Sequence, residues 1–166
     1  MIIGIVCVDK NWGIGKKNDL LFHLKKDMEF FKNTTMDSIV FCGYNTLLSF
    51  PGSKPLKHRS TICLCPEDIE RDDCFCVHEF DTAVKLVKEL AKTKNVYIIG
   101  GAMLYKSMLP HYDEVLVTKV DADGEAEVFF PNLDECPEFH ARKVSSCNDM
   151  GYDSSFWTYT RVAYES

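Results

Sequence analysis

Two stretches of this chain are apolar without alternation and end in glycine: Ile39-Val40-Phe41-Cys42-Gly43 and Val96-Tyr97-Ile98-Ile99-Gly100-Gly101. A strand with one face in water alternates apolar and polar residues. An unbroken run instead marks a strand covered on both faces, the ordinary condition of a parallel sheet. Residues 2–8 read the same way, and residues 60–65 and 74–77 add further strands. Helices fall between them: about 24–33, from Gly43 to before Pro51, from a cap at Asp81 to about 92, and from Gly101 to Leu109-Pro110. In the third, Ala83, Val84, Val87 and Leu90 recur at helical spacing. Beyond it the pattern changes, because residues 114–120, 139–146 and 156–163 read as strands with no comparable helix between them. Alternation followed by a β-rich tail predicts an α/β fold: a mostly parallel central sheet, an antiparallel C-terminal edge, and helices on both faces. No Pro/Gly/Ser-rich linker divides the sequence, so residues 1–166 are read as a single domain.

Composition narrows the class. At 46% hydrophobic and 27% charged, with no biased tract, the 166 residues suit a globular core and not disorder. A net charge of −6 argues against nucleic acid as partner, since that requires a concentrated basic surface. The apolar start is interrupted at Asp9-Lys10-Asn11, which reads as a buried strand and neither a signal peptide nor a membrane span. A cytoplasmic location is expected. The eight cysteines lie mostly in apolar runs (Cys7, Cys42, Cys63, Cys65) and read as reduced core residues. Cys63-x-Cys65 and Cys74-x-Cys76 have strand spacing, not the Cys-x-x-Cys of structural zinc, so no metal is expected.

Asp27 is the informative anomaly. On a helix at about 100° per residue with Leu24 at zero, Lys25, Lys26, Glu29 and Lys32 share one polar arc. Asp27 falls on the other side, between Phe30 and Phe31, in the arc that also holds Leu24 and Met28. A carboxylate on an apolar face needs a partner or a purpose. One reading is a satisfied aspartate at the edge of the face. The other is a carboxylate at the floor of an apolar pocket, suited to a ligand that donates two hydrogen bonds from an amidine-like edge. The two glycine junctions have a similar double reading. Each is either a sterically tight turn or, because helix starts present free N–H groups, part of a phosphate cradle to which Thr46 adds a hydroxyl. Neither carries the full Gly-x-Gly-x-x-Gly pattern, so an ordinary Rossmann domain is not expected.

These residues stand in a recognisable order. Val6-Cys7-Val8-Asp9, Gly13-Ile14-Gly15, Asn18-Asp19-Leu20 and Leu24-x-x-Asp27-Met28-x-x-Phe31 resemble the opening of dihydrofolate reductases. Gly43-Tyr44-Asn45-Thr46, Pro55-Leu56 with Arg59, Ile98-Ile99-Gly100-Gly101-Ala102-x-x-Tyr105, Thr118 and Phe130-Pro131 continue the resemblance over essentially the whole chain. It implies that fold, and reduction of 7,8-dihydrofolate to tetrahydrofolate by NADPH, with antifolates as inhibitors, in a monomer.

The resemblance also implies roles. Asp27 would hold the pterin N3 and 2-amino group and promote protonation at N5, supported by Thr118, with Leu20 and Phe22 nearby. Val6, Cys7, Met28, Phe31, Leu56 and Ile99 would line the substrate pocket, and Arg59 would pair with the α-carboxylate of the glutamate tail. Backbone near Cys7, with Ile14, Gly15, Leu20 and Tyr105, would surround the nicotinamide. The pyrophosphate would lie between Gly43, Tyr44, Asn45 and Thr46 on one side and Gly100, Gly101, Ala102, Met103 and Leu104 on the other. Leu64, Cys65, Pro66 and His78 would lie near the adenosine 2′-phosphate.

The sequence departs from the family at three places. Leu21-Phe22 replaces a Pro-Trp pair, Tyr44 stands where a basic residue is common, and Cys65-Pro66 replaces hydroxyl or basic side chains. The 2′-phosphate is thereby left with fewer partners, and His78 is the nearest replacement. Two other readings remain. A pyrimidine reductase of riboflavin synthesis shares the fold but does not call for Asp27. A non-catalytic nucleotide-binding protein does not call for Asp27, Arg59 and Thr118 together.

Overall fold

The two unbroken apolar runs lie side by side in the middle of the main sheet. The computed structural model describes residues 1–17 and 19–162; Asn18 of the opening motif and Ala163, the expected end of the last strand, lie outside them. In chain order the elements are β1 (Ile2–Val8), β2 (Gly13–Lys16), β3 (Asp19–Leu20), α1 (Lys25–Thr35), β4 (Ile39–Gly43), α2 (Tyr44–Ser49), β5 (Ser60–Leu64) and β6 (Phe75–Val77). They continue with α3 (Phe80–Leu90), β7 (Val96–Ile98), α4 (Ala102–Ser107), β8 (Glu114–Val120), β9 (Val128–Phe129), β10 (Phe139–Asp149) and β11 (Tyr152–Arg161).

Eight strands form the main sheet in the order β10-β11-β8-β1-β7-β4-β5-β6. From β8 to β6 every pairing is parallel, while β11 is antiparallel to β8 and β10 antiparallel to β11. This is the expected α/β architecture with its antiparallel C-terminal edge. Period-two alternation sends neighbouring side chains to opposite faces. Ile39, Phe41, Val96 and Ile98 pack with Ile2, Val6 and Val8 on one face. Val40, Cys42, Tyr97 and Ile99 pack with Ile3 and Ile5 on the other, and Phe30 and Phe31 of α1 cover that second face. Both layers are apolar, which is why the sequence runs do not alternate.

Three details differ from expectation. The last two strands, read as 139–146 and 156–163, run over Phe139–Asp149 and Tyr152–Arg161 and so meet at a two-residue turn. Asp81 does not cap α3: the helix begins at Phe80 after Glu79, so Asp81 sits in its first turn, where its charge complements the helix dipole. The Gly13-Ile14-Gly15 stretch after β1, to which the sequence assigns no strand, is not a loop. Residues 13–16 form β2, which joins β3 and β9 in a separate three-stranded sheet. These strands are two to four residues long, too short to show periodicity.

Candidate active site

The carboxyl ends of the parallel strands converge on one edge, and the expected site residues collect there. Cys7 and Thr118 are register partners across β1 and β8. With Ile5 and Ile99 they belong to the face that α1 covers, so Asp27, in the first turn of α1, lies over them. The Thr118 hydroxyl donates to Asp27 Oδ1 at 2.7 Å, and the Cys7 thiol lies close enough to that carboxylate to influence its acidity.

Burial raises the Asp27 pKa, the nearby Asp149 charge raises it further, and the Thr118 hydroxyl and Cys7 thiol pull the other way. Desolvation outweighs them, so the pKa ends above the ordinary carboxyl value. The same burial and the Asp27 charge push the Cys7 thiol well up, which keeps it protonated and able to donate. A carboxylate has about four acceptor sites, so capacity remains for two donors from a ligand. Of the two readings of Asp27, the structure therefore has a partly satisfied carboxylate with room left for a ligand.

Around it, Ile99 is buried, Phe31 and Leu56 are half-buried, and Met28 is 55% exposed along the open side of α1. Val6 departs from expectation: its side chain packs with Val8 and Trp12 in the opposite layer. Strand alternation requires this once Cys7 faces α1, so only the Val6 backbone borders the cleft. Phe22 is half-buried, its ring edge-on to Tyr152 of β11 with centroids 5.0 Å apart. Leu20 is 57% exposed at the end of β3, beside half-buried Ile14 and buried Gly15 of β2.

Arg59 lies just before β5. Its guanidinium donates to the Lys57 carbonyl at 2.7 Å, the Thr35 hydroxyl at 3.1 Å and the Lys32 carbonyl at 3.3 Å. These neutral acceptors fix the fork at the end of α1 without neutralising it, and no ion pair to Arg59 forms among the described residues. An oriented cation beside the apolar cleft suits an anionic tail.

The two glycine junctions touch. Gly43 N–H donates to the Gly100 carbonyl at 2.8 Å, and Gly43 and Gly101 are the residues preceding α2 and α4, neither start having a side-chain cap. A Cβ at Gly43 would meet nothing closer than 3.8 Å, and one at Gly101 only the Thr46 hydroxyl at 3.4 Å. The protein therefore leaves open a space between two uncapped helix starts, which fits a diphosphate. Half-buried Tyr44 and exposed Asn45 and Met103 border it, while Ala102 and buried Leu104 carry the first turn of α4. Tyr105 is buried, and its hydroxyl donates to the Ile5 carbonyl at 2.7 Å, tying α4 to β1.

Further along this edge lie Leu64, Cys65 and Pro66 at the end of β5, with the Cys65 and Cys76 sulfurs 3.4 Å apart. His78 follows β6. Its Nε2 meets Glu70 Oε1 at 2.8 Å and its Nδ1 the Pro66 carbonyl at 3.0 Å. The hydrogen bond that the ring donates to Glu70 raises the imidazole pKa. An already engaged ring beside a carboxylate is a poorer phosphate partner than the sequence suggested.

Two residues without an assigned role in the sequence matter here. Asp9 is 2% exposed and accepts from Gly13 N–H at 2.7 Å, Asn11 N–H at 2.8 Å and Gly124 N–H at 3.0 Å, so it fastens the β1–β2 turn to the β8–β9 loop. Asp149 is 3% exposed and accepts from the first-turn N–H groups of α1. The available signal was an acid directly before Met150-Gly151 in a strand-rich tail.

Residues 1–161 match the dihydrofolate reductase family profile. The chain is 33% identical over 167 residues to a dihydrofolate reductase of Bacillus subtilis, covering 99% of this chain and 94% of that one. It is 31% identical over 160 residues to that of Staphylococcus haemolyticus, covering 95% and 94%. Its fold is similar to that of the Enterococcus faecalis dihydrofolate reductase complexed with NADP(H) and RAB-propyl, with a TM-score of 0.79, 25% identity, and 97% and 96% of the two chains covered.

Proposed function

The chain belongs to the dihydrofolate reductase family and reduces 7,8-dihydrofolate with NADPH, and from that premise we propose how its residues divide the work. Asp27 binds the pterin through N3 and the 2-amino group. The observation that carries this reading is the half-buried Asp27 carboxylate, held at 2.7 Å by Thr118 and made less acidic by its surroundings. A less acidic carboxyl can hold a proton nearer neutral pH, which promotes protonation at N5. NADPH, when bound, supplies the hydride for C6.

The rest of the protein orients and excludes water. Ile99, Phe31, Leu56 and Met28 cover the pterin and benzoyl rings, and Arg59 takes the glutamate α-carboxylate. The space between Gly43 and Gly101 takes the pyrophosphate, and Ile14, Leu20 and Tyr105 border the nicotinamide. Neither rival reading needs the Asp27–Thr118 pair.

We also place the protein in the cytoplasm as a monomer acting on small molecules. Its net charge of −6 supports small ligands over nucleic acid, and no helix among the described residues is long and apolar enough to cross a membrane. The test is loss of the reduced nicotinamide's near-ultraviolet absorbance on mixing protein, NADPH and dihydrofolate, set against an Asp27→Asn control. Undiminished turnover in that control retires the role given to Asp27.

A further inference from the structure

The N-terminus of α1 is capped from a distance. Leu24, the residue preceding the helix, has an apolar side chain and makes no cap, so the first N–H groups of α1 need an outside acceptor. Asp149 Oδ2 supplies it, accepting from Lys26 N–H at 2.9 Å and Asp27 N–H at 3.2 Å. Lys26 Nζ adds a bond to the Asn148 carbonyl at 3.1 Å.

Asp149 is well placed to hold that position. It is the last residue of β10, paired with Tyr152 of β11, and the two residues between them, Met150 (φ 54°) and Gly151 (φ 88°), are both left-handed. A two-residue turn of that kind matches the twist of the flanking strands and gives a stiff hairpin end. Tyr152 meets Phe22 from the same hairpin, so β10 and β11 grip both sides of the segment leading into Asp27.

We propose that Asp149 is a positioning residue for the reaction: it seats the first turn of α1 and keeps a second negative charge beside the Asp27 carboxylate. A neutral acceptor would satisfy the same two N–H groups. A carboxylate does so while opposing ionisation of Asp27, in the direction of the Asp149 contribution to its acidity. The groups facing Asp27 are the Cys7 thiol on β1, the Thr118 hydroxyl on β8, the Tyr105 phenol on α4 and Asp149 on β10. On its own helix, Lys25, Lys26 and Glu29 are exposed. No ion pair to Asp27 or Asp149 forms among the described residues; the Lys26 ammonium stands near Asp149 but is held on the Asn148 carbonyl.

This inference rests on the reading of Asp27 as the pterin-binding carboxylate, and its test separates the two. In the full chain, Asp149→Asn keeps an acceptor and removes the charge, Asp149→Ala removes both, and Asp27→Asn is the control. The carboxyl ¹³C shift of Asp27 is titrated without ligand, and kcat for dihydrofolate reduction is followed against pH. In Asp149→Asn the Asp27 inflection and the descending limb of kcat should both move about half a unit to one unit lower, with Tm close to that of the parent. Asp149→Ala should show the same displacement plus a several-fold rise in KM, because the first turn is no longer seated. If Asp149→Ala does not fold, Asp149→Asn alone decides. An unmoved inflection, or a fall in rate that is uniform across pH, overturns the proposal and leaves Asp149 a structural cap. Near-parental turnover by Asp27→Asn overturns the Asp27 reading instead, and the ligand-free titration still measures the Asp149 charge.

Discussion

Gly43 and Gly100 meet at the sheet's carboxyl edge, the Gly43 N–H donating to the Gly100 carbonyl at 2.8 Å, although 57 residues separate them. Gly43 has φ −80° and ψ 165°, a conformation open to any residue, and a Cβ there has 3.8 Å of clearance. The fold does not require glycine at this position. Gly43→Ala should therefore keep the parental Tm and antifolate binding in the absence of cofactor, while weakening NADPH by about 1 to 3 kcal/mol through intrusion into the space it needs. Equal affinity for NADPH in both proteins would place the pyrophosphate elsewhere.

Asp27→Asn should lower turnover at neutral pH by about a hundredfold or more, the loss shrinking in acid, where substrate arrives already protonated. It should also stabilise the protein. Because burial lifts the folded pKa of Asp27, the native state keeps a proton that the unfolded chain has shed. Stability is thus full below the ordinary carboxyl value near 3.9 and is lost as pH rises through the folded one. The variant escapes that loss, so the Tm difference between variant and parent should grow from acid to neutral pH. Thermal melts across that range check the sign; a difference that shrinks toward neutrality would show that Asp27 is not destabilised by burial.

Thr118→Val removes the hydroxyl that pulls Asp27 toward ionisation while nearly preserving shape. The Asp27 inflection should rise, opposite to the shift expected on neutralising Asp149, and dihydrofolate binding should weaken by about 1 kcal/mol. The direction of the shift, read by ¹³C titration, is the decisive measurement.

Arg59→Leu should weaken ligands carrying the glutamate tail by about 2 to 4 kcal/mol and leave small antifolates lacking that tail almost unaffected. Equal losses for both classes would mean that Arg59, through its bonds to Thr35 and Lys32, serves only to fasten the end of α1.

Cofactor selectivity should carry the mark of Glu70. The hydrogen bond it accepts from His78 raises the imidazole pKa but sets a negative charge against the same ring. If His78 reaches the 2′-phosphate, the preference for NADPH over NADH should climb as pH falls through an inflection above the usual value near 6.5. The change should be about two- to fivefold, the size of an exposed ion pair, and His78→Gln should flatten it. A large preference without pH dependence identifies some other group as the phosphate's partner.

The parts of this architecture that were legible in the sequence are those governed by periodicity. The unbroken runs at residues 39–43 and 96–101 reported two covered faces, and the helical wheel isolated Asp27 among apolar neighbours. The tiny β2–β3–β9 sheet was not legible, because strands of two to four residues carry no period. Val6 shows a different limit. A motif places a residue near a cleft, but strand alternation decides where its side chain goes. Asp9 and Asp149 act on backbone N–H groups, which leave no trace in the identity of the residues they bind, so only folding reveals their role.

The pairing of β1 has a consequence for how the protein is made. Its neighbours are β7, reached at Val96, and β8, reached at Glu114, so β1 leaves the ribosome well before either of its partners. At about 5 to 20 residues per second, an apolar ribbon with two open edges persists for roughly 4 to 18 s before β7 has been synthesised. Through that interval Ile2, Ile3, Ile5, Val6 and Val8 have no sheet to join and are exposed to strand pairing with other nascent chains. Yield of active enzyme should therefore respond to translation speed and to holdase chaperones more strongly than the stability of the finished protein suggests.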